Sequence, residues 1–289
     1  MQSVLLHCHI FKNAGTTIDG ALQRSFGSGF IDHRDDDKMA AGGMPYLDRL
    51  FTQYGEVVAV SSHQMPFDPD YTSDIRSIWY LVMLRDPIAR ALSVYRYERI
   101  QPGRISIGAR LSKRMSIRDY FSWRIGHDAP PAIRNHHVRF LTNTWSPDFH
   151  PENTELQKAL SNTAQSRVLV GIVEKFDESM VMFERKLAGQ FPQLDLAYVK
   201  RNTNSRPPEG ARAYLRRELG DDLFNGLLEE NSLDMRLFAE TEKMLDNYSR
   251  ESADFAEHLR RFKQRCANLQ RIVDHSMLLT KSAWHNPSE

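Results

Sequence analysis

The chain is poor in cysteine: Cys8 and Cys266 are the only two in 289 residues, and two cysteines make no disulfide framework. Cys8 lies in an apolar stretch and reads as a small core residue. Long hydrophobic runs are missing as well. Nothing approaches the roughly 18 uninterrupted apolar residues of a membrane-spanning helix. No basic region precedes the short N-terminal apolar run and no small-residue cleavage site follows it, which argues against a signal peptide. Neither sign of charge is in excess. Lys and Arg number 38 against 37 Asp and Glu, a formal net charge of +1, so no global field draws the chain to nucleic acid and any anion site has to be local. Internal repeats, low-complexity tracts and a Pro/Gly/Ser linker that would force a second domain are also lacking. What remains is a chain with 26% charged and 41% hydrophobic residues, the balance of a globular enzyme with a sizeable core. A cytoplasmic location is the expectation.

Four short apolar segments, rich in β-branched and aromatic residues, read as buried strands: Val4 to Ile10, Val57 to Ser62, Ile78 to Leu84 and Val168 to Val173. Helical stretches separate them, the pattern of a parallel α/β sheet. The expected fold is α/β, a three-layer P-loop-like arrangement with a central parallel sheet of about four to five strands flanked by helices, plus a helical C-terminal extension. The expected division is a domain over residues 1–240 and an extension over 241–289 that packs on it or serves self-association. Ile18, Ala21, Leu22 and Phe26 fall on one helical face after the first strand. After Leu84, Asp86 can cap a helix, Pro87 fits its first turn, and Ile88, Ala91, Leu92 and Tyr95 form its apolar stripe. Leu215, Leu219, Leu223, Leu227 and Leu228 are expected core contacts of a helical tail. Ligands in such sheets gather at the carboxyl ends of the strands, so the chemistry belongs just after Ile10, Ser62 and Leu84.

At the first of those places stands "HIFKNAGTT", residues 9 to 17. A loop that runs into a helix directs free N–H groups and the positive end of the helix dipole at whatever lies before it. Lys12 adds a mobile charge, Thr16 and Thr17 add hydroxyl donors, and Gly15 permits close backbone approach. The set suits a phosphate or sulfate ester; the plainer alternative is a capped strand–helix turn. The full pattern G-x-x-x-x-G-K-[ST] is missing, so ATP is not the first expectation. At the third place, "LVMLRDPIARALSVYRYER" (residues 81 to 99) puts Arg85 at a strand end and Ser93 on the next helix, off its apolar stripe. An arginine fork and a hydroxyl can grip a second phosphate, or Arg85 pairs with a carboxylate and Ser93 is merely solvated.

Together "FKNAGTT" and "RDPIARALSVY" resemble the two nucleotide-binding signatures of the sulfotransferases, in particular the carbohydrate branch that includes heparan sulfate 2-O-sulfotransferase and its bacterial relatives. Weaker similarity continues in "NHHVRFLT" (135–142) and "VLVGIVEKFDESMVMFERKL" (168–187), so the resemblance runs over roughly residues 3 to 240. It implies the donor 3′-phosphoadenosine 5′-phosphosulfate (PAPS), with Lys12, Asn13, Ala14, Gly15, Thr16 and Thr17 at its 5′ end and Arg85 and Ser93 on its 3′-phosphate. It implies sulfuryl transfer to a hydroxyl, on an acceptor expected to be a saccharide or glycoconjugate, with no metal required. A late basic loop, "VKRNTNSRP" (199–207), would place Lys200 and Arg201 over the nucleotide. The family's first loop usually has proline where this chain has Phe11. Eukaryotic members of the branch are Golgi membrane proteins, so a chain without an anchor reads as a bacterial cytosolic enzyme.

The base expected for the acceptor hydroxyl is His63 in "VAVSSHQMPF", which follows the second strand; an imidazole titrating near about 6.5 can take a proton at neutral pH. Relatives often carry two histidines there, whereas here Ser61 stands at the first position. Lys12 would stabilise the charge on the leaving phosphate. His7 and His9 share a strand face, and with no third ligand in view they read as structural rather than as a metal site. The Asp35-Asp36-Asp37 run reads as a solvated loop rather than a metal cage. His136 and His137 diverge on a helix. Arg104, Arg110, Lys113, Arg114 and Arg118, with no acidic residue among them and Arg134 and Arg139 following, make a local basic segment. Arg110, Lys113, Arg114 and Arg139 would line an acceptor groove, or the segment is a solvated basic face. Two other readings stay open: a small-molecule kinase using ATP, and a nucleotide-binding module without turnover.

Overall fold

The structure is a computed structural model. It describes residues 2–146, 148–199 and 209–283, with the side chains of 276–283 left aside. Five strands form one sheet: β1 (Gln2–Cys8), β2 (Phe30–Asp32), β3 (Ala59–Ser62), β4 (Arg76–Leu84) and β5 (Val168–Ile172). Their order is β2-β3-β1-β4-β5 and every neighbouring pair is parallel. The helices are α1 (Gly15–Phe26), α2 (Asp36–Gln53), α3 (Pro87–Ile100), α4 (Ile107–Arg114), α5 (Ile117–Ile125), α6 (His136–Thr142), α7 (Asn153–Thr163), α8 (Phe176–Leu187), α9 (Gly210–Leu219), α10 (Asp221–Glu229), α11 (Ser232–Glu251) and α12 (Phe255–Ala283). The α/β fold with a parallel sheet and helical C-terminal segments is therefore as expected. The strand order reverses direction between β1 and its two neighbours, so β1, β3 and β4 end side by side and open a crevice there.

Parallel strands covered on both faces need side chains that are apolar on both. In β1 Val4, Leu5, Leu6 and Cys8 are buried, and in β4 the run from Tyr80 to Leu84 is buried. β1 ends at Cys8, two residues short of the expected Ile10, because the chain has already turned into the loop. β2 was not foreseen: three residues at a sheet edge are too short to show alternation.

A second core lies beside the sheet. Ile88, Ala91, Leu92 and Tyr95 of α3 meet Tyr120 and Phe121 of α5 and Leu215, Leu219, Phe224 and Leu227 of α9 and α10. The stripe expected on α3 is thus real, and three of the tail leucines close over it; Leu223 and Leu228 are partly buried at its margin. Asp86 accepts from Ala89 N at 2.8 Å and Pro87 opens α3. Residue 240 falls inside α11, so a division at that point cuts a continuous helix. α12 returns along α8, with Phe255 and Phe262 in the main core. Among the described residues no helix is long and apolar enough to cross a membrane.

Candidate active site

The loop between β1 and α1 is strained and braced. Lys12 and Ala14, neither of them glycine, have φ of 68° and 62°. Left-handed backbone at such residues costs on the order of 1–3 kcal/mol each and persists only where the surroundings enforce it. The enforcement is visible carbonyl by carbonyl. His9 O accepts from His63 Nδ1 at 2.9 Å, Phe11 O from Arg90 Nε at 3.1 Å, and Lys12 O from Arg85 Nη1 at 3.0 Å. Ile10 O accepts from Asn13 N and Ala14 O from Thr17 N. The Asn13 amide donates to Met83 O at the end of β4 at 2.6 Å. In a trans peptide the N–H points opposite to the C=O before it, so tying the Phe11 and Ala14 carbonyls outward turns the Lys12 and Gly15 N–H groups the other way. With the Thr16 N–H at the start of α1, which an α-helix leaves without an intrahelical partner, they make a concave nest for an anion.

Arg90 was missed in the sequence. It is 1% exposed and, among the described residues, has no carboxylate within salt-bridge reach. Its guanidinium is spent on Phe11 O and, twice, on Ala132 O at 2.8–2.9 Å. Burial pushes its pKa down to about 9. Lys12 stacks its ammonium 4.3 Å from the centre of the Tyr97 ring, and Phe11 meets the same ring edge-on at 5.3 Å. Burial and the nearby Arg85 charge hold the Lys12 pKa below its usual value. Ser93 is half-buried on α3, the same helix as Arg90.

Beside the loop lies a group of imidazoles around one carboxylate. Asp19, one helical turn after Gly15, is 6% exposed. Its two oxygens meet His7 Nδ1 at 2.7 Å and His9 Nδ1 at 2.8 Å, and Arg34 reaches the second oxygen at 2.8 Å. His7 Nδ1 is also 3.0 Å from Ser61 Oγ, so this serine is part of the network. His63 lies with its ring centre 4.2 Å from that of His9. Because a carbonyl can only accept, the 2.9 Å contact to His9 O puts the proton of neutral His63 on Nδ1 and the lone pair on Nε2. Nε2 has no protein partner among the described residues. Burial, then the His9 charge, holds the His63 pKa below its ordinary value. Gly15 has a further use: a Cβ there would lie 2.1 Å from His9 Cδ2, so the missing side chain makes room for the imidazole.

The expectation that His7 and His9 lack a third ligand is corrected by Asp19. The three donor atoms lie within 4.8 Å of one another and could hold a metal, but the Arg34 guanidinium already provides the cation on that carboxylate. In Asp35-Asp36-Asp37 the first residue caps α2, accepting from Lys38 N, and the others sit in its first turn beside the positive end of the dipole. That run is a helix start rather than the expected loop. His137 is buried; its Nε2 accepts from the Asn13 amide at 2.9 Å, and its Nδ1 is 3.2 Å from Asp234 Oδ2. Arg110, Lys113 and Arg114 form one exposed face of α4. Arg139 does not join them: it is 1% exposed and donates to the Thr144, Ser146 and Phe149 carbonyls, because the turn after α6 needs those acceptors satisfied. Lys200 and Arg201 lie outside the described residues.

Asp19, Arg34 and Arg90 carried only faint signals. Asp19 is a charge beside the apolar stripe of α1 at i+4 from Gly15, and Arg90 sits within the second motif on a buried helix.

A family model described as "Sulfotransferase family" matches residues 1–282. An uncharacterized protein of Archaeoglobus fulgidus is 28% identical over 260 residues, covering 85% of this chain and 97% of its own. A crystal structure of a sulfotransferase from Alicyclobacillus acidocaldarius superposes with a TM-score of 0.40 at 16% identity, over 82% of this chain and 96% of that one.

Proposed function

Since the chain belongs to the sulfotransferase family, whose enzymes use PAPS, we propose that it transfers a sulfuryl group from that donor to a hydroxyl of a carbohydrate acceptor. The observation that carries this reading is the braced loop: strained at Lys12 and Ala14, with the His9, Phe11 and Lys12 carbonyls taken up by His63, Arg90 and Arg85, so that the Lys12 and Gly15 N–H groups are turned toward an anion. Lys12, Asn13, Ala14, Gly15, Thr16 and Thr17 would hold the 5′ end and Arg85 and Ser93 the 3′-phosphate. When bound, the donor supplies the sulfuryl group and a phosphate as leaving group. Lys12, its pKa lowered, leaves the Tyr97 ring to place positive charge where the phosphate departs. His63 takes the acceptor proton at Nε2, the nitrogen its own hydrogen bond keeps unprotonated. Charge stabilisation and proton removal both come from side chains, so no metal enters this proposal. The exposed Arg110, Lys113 and Arg114 suit an anionic saccharide chain.

Calorimetric titration with 3′-phosphoadenosine 5′-phosphate, ADP and ATP, repeated on Arg85→Ala and Ser93→Ala, tests the donor. A charge-assisted contact to the 3′-phosphate is worth about 1.5–3 kcal/mol. The 3′-phosphorylated nucleotide should therefore bind at least about tenfold tighter than ADP, and each variant should shrink that margin. ATP binding as tightly as the 3′-phosphorylated nucleotide would point to a kinase instead.

A further inference from the structure

His63 is held by one residue. Its Nδ1 donates to the backbone carbonyl of His9, and its ring rests on the His9 ring at 4.2 Å. No other hydrogen bond or ring contact to His63 exists among the described residues. His9 in turn is held at Nδ1 by Asp19 at 2.8 Å and Arg34 Nη1 at 3.3 Å, and by contact with the bare Cα side of Gly15. Asp19 is itself fixed by His7 and Arg34, and His7 by Ser61. The chain of support runs from a buried carboxylate through one imidazole to the next.

We propose that Asp19 is the positioning residue of the reaction: through His9 it sets the orientation of His63 and the nitrogen His63 offers to the acceptor hydroxyl. The inference rests on His63 being the base. Asp19 at 2.8 Å and Arg34 Nη1 at 3.3 Å meet the same nitrogen of His9, and this carboxylate–guanidinium pair fixes how the His9 ring lies. His9 so fixed keeps its ring in contact with that of His63, the two planes tilted by 50° with centres 4.2 Å apart. An asparagine at position 19 keeps the shape but can offer an N–H to His9 Nδ1. That weakens the hold on the Nδ1 edge of His9, frees its ring to turn, and removes the contact under His63.

The experiment uses the full chain with saturating donor and any acceptor that supports turnover. Asp19→Asn should lower kcat about 10- to 100-fold, leaving binding of 3′-phosphoadenosine 5′-phosphate within twofold of wild type. Long-range proton–nitrogen correlation spectra should show His63 as a single Nδ1–H tautomer in the wild type and as an average of two in Asp19→Asn. A purely structural role would lower nucleotide binding and kcat together and leave the tautomer unmoved. Should Asp19→Asn fail to fold, His9→Asn carries the test with the same expected loss of kcat. Wild-type kcat in the folded variant, or an unchanged His63 tautomer, overturns the proposal. His63→Ala separates the two levels: if it turns over like wild type, the reading of His63 as base has failed; if it is inactive while Asp19→Asn is fully active, only the role of Asp19 has.

Discussion

At the scale of single residues, the feature to account for is a buried arginine with no carboxylate in salt-bridge contact among the described residues, Asp234 acting on it only from farther off. Burying a guanidinium costs several kcal/mol even after relaxation, and Arg90 recovers part of that through bonds to the Phe11 and Ala132 carbonyls. A side chain kept only for stability would be better replaced by an apolar one of similar length. Arg90→Met should therefore leave the chain within about 2 kcal/mol of wild-type stability, since the lost desolvation penalty offsets two carbonyls left without partners. Function should respond differently. Without Arg90 the Phe11 carbonyl can swing inward, and affinity for 3′-phosphoadenosine 5′-phosphate should fall about tenfold or more, some 1.4 kcal/mol. Urea unfolding read beside calorimetry checks the pair; unchanged affinity would mean the loop holds its shape without the brace. The sequence made half of this loop legible. Lys12, Gly15 and the threonines announce an anion site by their chemical type and order. The residues that bend the loop outward, Arg85 in its carbonyl contact, Arg90 and His63, are 50 to 80 positions away and meet it only once β1, β3 and β4 are aligned.

At the scale of elements, the loop is tied to the C-terminal half by a buried line of polar groups. Asp234 at the start of α11 accepts from His137 N and Val138 N at 2.9 Å each, acting as the cap of α6 that its own N-cap Asn135 does not supply. His137 then passes from Asp234 to Asn13, and Asn13 to Met83 at the end of β4. Burial alone would raise the Asp234 carboxyl, but contacts from His137 and the two N–H groups hold it below the usual range. Asp234→Ala leaves two helix N–H groups buried without acceptors, at about 1–3 kcal/mol each. A loss of roughly 3 kcal/mol or more should appear as a lower urea midpoint with an unchanged slope, and a shift under 1 kcal/mol would show that α6 caps itself. Four of the five strands and the α3 stripe were legible because apolar periodicity is a local property. β2 was too short to show, and the α11 cap joins residues almost a hundred positions apart, which no window on the sequence can see.

At the scale of the whole molecule, the titrating groups at the site bias stability in one direction. Burial holds His9 and His63 below the ordinary histidine pKa of about 6.5. The unfolded chain therefore binds these protons before the folded one does, and stability, full above about pH 6.5, is lost as pH falls through the folded values. Each unit of depression is worth 1.36 kcal/mol. The depressed carboxylates act in the same sense but later. Burial would raise Asp19, yet the hydrogen bonds from His7 and His9 overcome it and hold it well below the usual range, so its contribution disappears only below about pH 4. Melting temperature should thus be flat from pH 8 to 7 and decline between pH 6.5 and 5, ahead of ordinary acid unfolding; a flat profile down to pH 5 would mean that the imidazoles are not held neutral. Activity should part from stability over the same window. A base with a lowered pKa keeps its lone pair as the solution turns acid, so the acid limb of kcat/KM should lie below pH 6.5, in the range where the fold has begun to weaken. The same burial that keeps His63 available to the acceptor hydroxyl makes the molecule around it acid-sensitive.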